Sequence, residues 1–141
     1  MDRSELLELV LDYYHNPRNK GELNEANAIW NGGLPGCSDV VTAFLKIENG
    51  YITAATFTGD GCTISQAAAS MLTEELVGQT VEAVAELDQS VVVEMLGKEL
   101  VQTRPRCSTL GLDTFRAAAQ EYLRLQRARS NPPIHGEPPT Q

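Results

Sequence analysis

Histidine is nearly missing from this chain: His15 and His135 are the two among 141 residues. His15 precedes Asn16-Pro17 and His135 sits in a proline-rich end, so no cysteine has a histidine base beside it. That argues against a plain thiol hydrolase, which needs such a base to activate its nucleophile. Basic residues are also scarce, eleven against nineteen acidic ones, giving a net charge of −8 and a pI near 4.7. A polyanion of this kind is a poor binder of nucleic acid or anionic membrane. No apolar run approaches the roughly 20 residues that span a bilayer. The opening Met1-Asp2-Arg3-Ser4-Glu5 has no secretory character. Cysteines number three, an odd count without a disulfide framework. That fits a reducing compartment, and a cytoplasmic protein is expected. Paired Cys-x-x-Cys knuckles, the usual zinc spacing, are absent as well.

What remains is an ordinary globular composition, 42% hydrophobic and 21% charged, long enough for one domain with a real core. A first helix is expected over Ser4 to Tyr14, with Ser4 as N-cap and Leu6, Val10, Tyr13 and Tyr14 on one face. Asn16-Pro17 ends it, because a residue before proline is pushed out of the helical region. A polar, irregular stretch then runs to about Asn31, and Gly32 to Gly36 reads as a flexible loop.

Val40–Glu48 and Tyr51–Thr58 read as strands joined at Asn49-Gly50, a strong hairpin signal. Val41, Ala43, Leu45 and Ile47 share one face of the first. In the second, Ile52, Ala54 and Thr56 alternate with Tyr51, Thr53, Ala55 and Phe57. A helix is expected just after Cys62, burying Ile64, Ala67, Ala68, Met71, Leu72 and Leu76 and stopping at Gly78. One or two short helices fill Thr80 to Leu96, ending at Gly97, and a last helix opens near Cys107 or Ser108 with Leu112, Phe115, Ala119 and Tyr122 inward. Residues 1–128 are expected as the domain. Residues 129–141, with four of the seven prolines, are expected as a disordered tail.

Each cysteine occupies a junction rather than a hydrophobic run: Cys37 in Pro35-Gly36-Cys37-Ser38-Asp39, Cys62 after Gly59-Asp60-Gly61, Cys107 after Arg104-Pro105-Arg106. Asp39 follows Cys37 by two, so in extended chain the two side chains point the same way. Cys62 and Cys107 fall near helix N-termini, where unpaired N–H groups and the helix dipole favour an anion. These settings, with Arg104 and Arg106, are expected to lower the thiol pKa values toward neutrality. Three thiolates and a carboxylate are a reasonable four-ligand set for zinc or an iron–sulfur cluster. The separations, 24 residues between the first two thiols and 44 between the next, leave unrelated free cysteines as an open alternative.

Four runs together resemble the iron–sulfur assembly scaffold family, the IscU/SufU/NifU-N-terminal group. They are Tyr14-His15-Asn16-Pro17-Arg18-Asn19-Lys20-Gly21, Pro35 to Asp39, Gly59 to Ser65, and Arg106-Cys107-Ser108-Thr109-Leu110, within a likeness covering about residues 5–125. The resemblance implies an α+β fold, a small antiparallel sheet of three strands packed against several helices, SufE/IscU-like. Its third strand comes from around Trp30. It also implies that Cys37, Asp39, Cys62 and Cys107 converge at one exposed end. There Cys107 or Cys37 would accept persulfide sulfur from a pyridoxal-phosphate cysteine desulfurase. The four residues would then hold a transient [2Fe-2S] cluster for downstream apo iron–sulfur proteins or a carrier, or would hold Zn2+. The family's other branch implies a zinc-dependent sulfurtransferase that relays persulfide without holding a cluster. A non-enzymatic scaffold is the leading expectation.

Departures are specific. Arg106 stands where the IscU branch has a histidine, as in the SufU branch, yet the 44-residue interval lacks the SufU insertion. Val101-Gln102-Thr103-Arg104-Pro105 replaces the IscU chaperone-recognition segment, which argues against a dedicated Hsp70-type chaperone. Asp60 reads as a turn residue, His15 as a helix-end residue, and Tyr13 and Tyr14 as packing on a helix where that family docks its desulfurase. Arg104 and Arg106 are divided between plain surface charge and a role in steering sulfur or a partner.

Overall fold

The computed structural model describes residues 2–33 and 39–130. In chain order the elements are α1 (Arg3–His15), β1 (Ala28–Gly33), β2 (Val40–Glu48), β3 (Tyr51–Asp60), α2 (Thr63–Leu76), α3 (Val81–Ala85), α4 (Ser90–Leu96), α5 (Lys98–Thr103) and α6 (Pro105–Ser130). The strands form one antiparallel sheet in the order β1-β2-β3. Helices α2 and α6 pack on one of its faces and on each other, and α1 packs on α2. The fold is α+β, as expected. Among the described residues no helix is long and apolar enough to cross a membrane.

The hairpin turns where Asn49 and Gly50 both take positive φ, 54° and 83°, the conformation a two-residue primed turn demands. Val41, Ala43, Leu45 and Ile47 are buried, as strand periodicity requires. The expected alternation of β3 fails partway. The register slips between Lys46 and Ile47: Ile47 faces Ile52, but Lys46 faces Ala54. Thr53 is therefore an extra residue, a bulge, and its Oγ1 donates to the Lys46 carbonyl (3.2 Å). Parity reverses across it, so Ile52, Ala55 and Phe57 face the core and Ala54 and Thr56 do not.

Other boundaries move for local reasons. Asp2, not Ser4, caps α1: it accepts the Glu5 N–H while Glu5 returns a bond to the Asp2 N–H, a reciprocal capping box. Gly32 and Gly33 belong to β1 rather than to a loop, and Gly32 lies hard against Thr114 of α6, where a Cβ would collide with Thr114 Oγ1. Helix α5 was not anticipated; Gly97, at φ 88°, ends α4 and starts it, and Val101 buries there. Helix α6 starts at Pro105, two residues before Cys107, since proline suits the first helical position. The Val91-Val92-Val93 run is helical, in α4. Residues 34–38 and 131–141 lie outside the described residues; of the expected 129–141 tail, residues 129 and 130 belong to α6.

Residues 19–21 pair alongside β3 through Gly21 N–H to Phe57 carbonyl (2.7 Å) and Phe57 N–H to Asn19 carbonyl (3.1 Å). Asn27 already bonds Leu45 on β2. Residues 22–26 therefore pass from one sheet edge to the other, with Glu25 reaching Lys46 (3.5 Å) on the way.

The core joins Leu45, Phe57, Leu72, Leu76, Leu112 and Phe115, all fully buried. Helix α2 is covered on several sides, so small and polar residues beyond its apolar stripe (Ser65, Gln66, Ala69, Ser70, Thr73) are buried too. Phe115→Ala is expected to destabilise the protein by about 3–5 kcal/mol, the usual cost of removing a buried phenylalanine. Equilibrium urea unfolding checks it.

Candidate metal centre

Three segments deliver their donors to one place. Asp39 ends the connection into β2, Cys62 is the N-cap of α2 at the end of β3, and Cys107 lies in the first turn of α6. Their ligand atoms all lie within 4.8 Å of one another. Two donors around one ion at bonds of about 2.3 Å stand at most about 4.6 Å apart, so the group is near the span a single zinc could draw together. Among the described residues no other group of three such donors meets this way. Cys37, the fourth expected ligand, lies outside the described residues.

The local structure explains why these residues meet. Gly61, at φ 143°, lets the chain leave β3 against Asp39: a Cβ there would lie 2.6 Å from Asp39 Oδ1 and 2.9 Å from its Cα. No side chain fits in that gap. Cys62 then caps α2, its Sγ accepting the Ser65 N–H at 3.4 Å. A cysteine here takes the role that serine or aspartate usually fills, and the thiol sulfur ends up among the first N–H groups of the helix.

Asp39 is 7% exposed, and each of its oxygens has its own donor. The Cys62 N–H donates to Oδ1 (3.2 Å) and the Cys107 thiol donates to Oδ2 (3.2 Å). Burial opposes ionisation of this carboxyl, but hydrogen bonds from Cys107, Cys62 and Ser65 outweigh it and hold the pKa below the usual carboxylate range. Cys107 is the converse. Burial, then the neighbouring Cys62, then the Asp39 carboxylate push its thiol up to about 12. The expectation of a lowered pKa at Cys107 is thus overturned. Its place in the first turn of α6 favours the thiolate, yet a half-buried thiol beside an anion and a second thiol resists charging more strongly. Without a metal, Cys107 is a hydrogen-bond donor to Asp39 and not a thiolate.

Other candidates stay apart. Asp60 is exposed and accepts the N–H of Gly61 (3.0 Å), a turn contact. His15 ends α1 with its ring edge-on to Tyr14, centroids 5.1 Å apart. Arg104 and Arg106 flank Cys107, both exposed, and neither forms a salt bridge among the described residues. Two residues beside the site were not among the candidates, Ser65 and Gln66; they lie beyond the apolar stripe of α2, and their burial is a tertiary fact that periodicity does not show.

The family described as NifU-like N terminal domain matches residues 6–129. The chain is 34% identical over 115 residues to the iron-sulfur cluster assembly scaffold protein IscU 1 of Archaeoglobus fulgidus, a match covering 82% of this chain and 74% of that one. It is 35% identical over 92 residues to the zinc-dependent sulfurtransferase SufU of Bacillus subtilis, covering 65% and 62%. The N-terminal part of a nitrogen-fixing NifU-like protein from Brucella abortus superposes with a TM-score of 0.70 at 18% identity, covering 83% of this chain and 93% of that one. At that identity the likeness is one of fold alone.

A thiol held up by its surroundings reacts slowly until the pH reaches its own pKa. In the metal-free protein, alkylation of Cys107 by iodoacetamide is expected to keep accelerating from pH 8 up toward pH 12, where that thiol titrates, instead of levelling near an ordinary thiol pKa. Peptide mass spectrometry over a pH series checks it.

Proposed function

This chain belongs to the NifU-like N-terminal domain family, and on that premise we propose that it is an iron–sulfur cluster assembly scaffold. The observation that carries the reading is the convergence of Asp39, Cys62 and Cys107, three metal-competent donors from distant segments with ligand atoms within 4.8 Å. Cys37, Asp39, Cys62 and Cys107 together hold the cargo, a nascent [2Fe-2S] cluster, and the same four hold zinc. Cys107 or Cys37 receives sulfur as persulfide from a cysteine desulfurase, and the finished cluster passes to apo iron–sulfur proteins or a carrier. A hard carboxylate among soft thiolates gives iron one weaker ligand, which suits a site that must release what it builds. Residues 1–128 form the scaffold domain, and the protein works in the cytoplasm.

The donor set also explains how loading starts. Cys107 carries its proton while it donates to Asp39, so an incoming metal has to displace that proton to gain both ligands. Loading is therefore coupled to proton release.

A second reading has its own support. Arg106 directly precedes Cys107, as in the SufU branch, and the zinc-dependent sulfurtransferase of Bacillus subtilis is among the relatives. On that reading the site keeps zinc and relays sulfur alone.

Anaerobic reconstitution with ferrous iron, cysteine, a cysteine desulfurase and a dithiol reductant, which supplies the electrons that turn persulfide sulfur into sulfide, separates the two. The scaffold reading expects a visible cluster spectrum that moves to apo-ferredoxin, and Asp39→Ala is expected to retain cluster longer and bind zinc more weakly. Tight zinc, stimulated desulfurase and no cluster would favour the relay. A chain that takes up neither metal nor sulfur would refute both.

A further inference from the structure

Directly behind the site stands a buried amide. Gln66 lies one turn beyond Cys62 on α2 and is 4% exposed. Its Nε2 donates to the Val40 carbonyl (3.3 Å) and to Ser65 Oγ (3.1 Å). Both contacts lead to a candidate ligand. Val40 is the residue after Asp39. Ser65 Oγ donates onward to the Cys62 carbonyl (3.1 Å), and the Ser65 N–H donates to Cys62 Sγ (3.4 Å).

The other half of the same amide gains nothing. Among the described residues, Gln66 Oε1 is buried with no hydrogen-bond partner. The Val40 carbonyl can only accept, so the amide nitrogen must face it and the oxygen turns toward the backbone of β3. There a Cβ on Gly59 would lie 2.8 Å from Oε1, so nothing larger than glycine leaves the amide room. A buried oxygen without a donor costs stability, and an apolar side chain of equal length would remove that cost together with two long hydrogen bonds, changes that oppose each other. An amide that strands its oxygen while tying together the backbones of two proposed ligands is placed for the site as well as for the fold.

We propose that Gln66 is a positioning residue for the metal centre: its amide fixes the start of β2, carrying Asp39, against the first turn of α2, carrying Cys62. The inference rests on Asp39 and Cys62 being ligands, and adds the element that sets their spacing. The occupant is a thiophilic divalent cation such as zinc, or the iron of a cluster.

Gln66→Met tests it. Methionine keeps the length and helix propensity, but removes both donors and the stranded oxygen. The metal-free variant is expected to melt at the wild-type temperature or above. Its zinc affinity is expected to fall by about 10–100-fold, the usual consequence of losing a partner that orients a ligand. The visible spectrum of the cobalt-substituted variant is expected to shift, reporting altered ligand geometry. If zinc binds Gln66→Met as tightly as wild type, the proposal is overturned while the ligand assignment stands. If melting temperature and zinc affinity fall together, Gln66 is ordinary fold support and the proposal also fails. Wild-type protein that binds neither zinc nor cobalt overturns the ligand assignment and this inference with it.

Discussion

The carboxylate of Asp39 is the joint on which the site depends. A charged group at 7% exposure is costly unless its lone pairs are used, and here one oxygen takes a backbone N–H and the other a thiol proton. Those two bonds join segments separated by 23 and 68 residues along the chain. They also keep the donors together when no metal is present. The three donors are thus held together by hydrogen bonds alone, so under the proposed function loading would exchange a proton for a cation without first gathering three segments.

The rest of the fold makes that joint possible. β2 starts right after Asp39, β3 ends just before Cys62, and the two are neighbouring strands, so the sheet itself brings acid and thiol close. α2 and α6 both begin at the site and pack against each other, which brings Cys107 in from the third direction. Gly61 allows the last ångström of approach, and burial of Phe57, Leu72, Leu112 and Phe115 keeps the two helices seated on the sheet.

Much of this was legible in the residues, and the failures have physical causes. The Asn49-Gly50 turn, both hairpin strands, and α2 from Cys62 onward followed from turn chemistry and periodicity, which act locally. β1 did not, because Asn31-Gly32-Gly33 has poor strand propensity and owes its place to pairing with β2 and contact with Thr114. The meeting of Asp39, Cys62 and Cys107 was not readable from spacing, only from the likeness of four short runs to a known family. The pKa of Cys107 was misjudged for a related reason. The helix dipole is visible in a sequence, whereas burial and the identity of the neighbours are tertiary facts.

The bulge at Thr53 reaches further than its own hairpin. With the tight turn fixing Ile47 opposite Ile52, that one supernumerary residue decides which surface the remainder of β3 shows to the helices. Were Thr53 instead paired with Lys46 in a regular ladder, every later pair would slip by one: Ala54, Thr56 and Thr58 would turn toward the helices and Phe57 toward solvent. A relative one residue shorter at the bulge would therefore keep each of those pairs and deliver its cysteine to the same place, having lost only the kink.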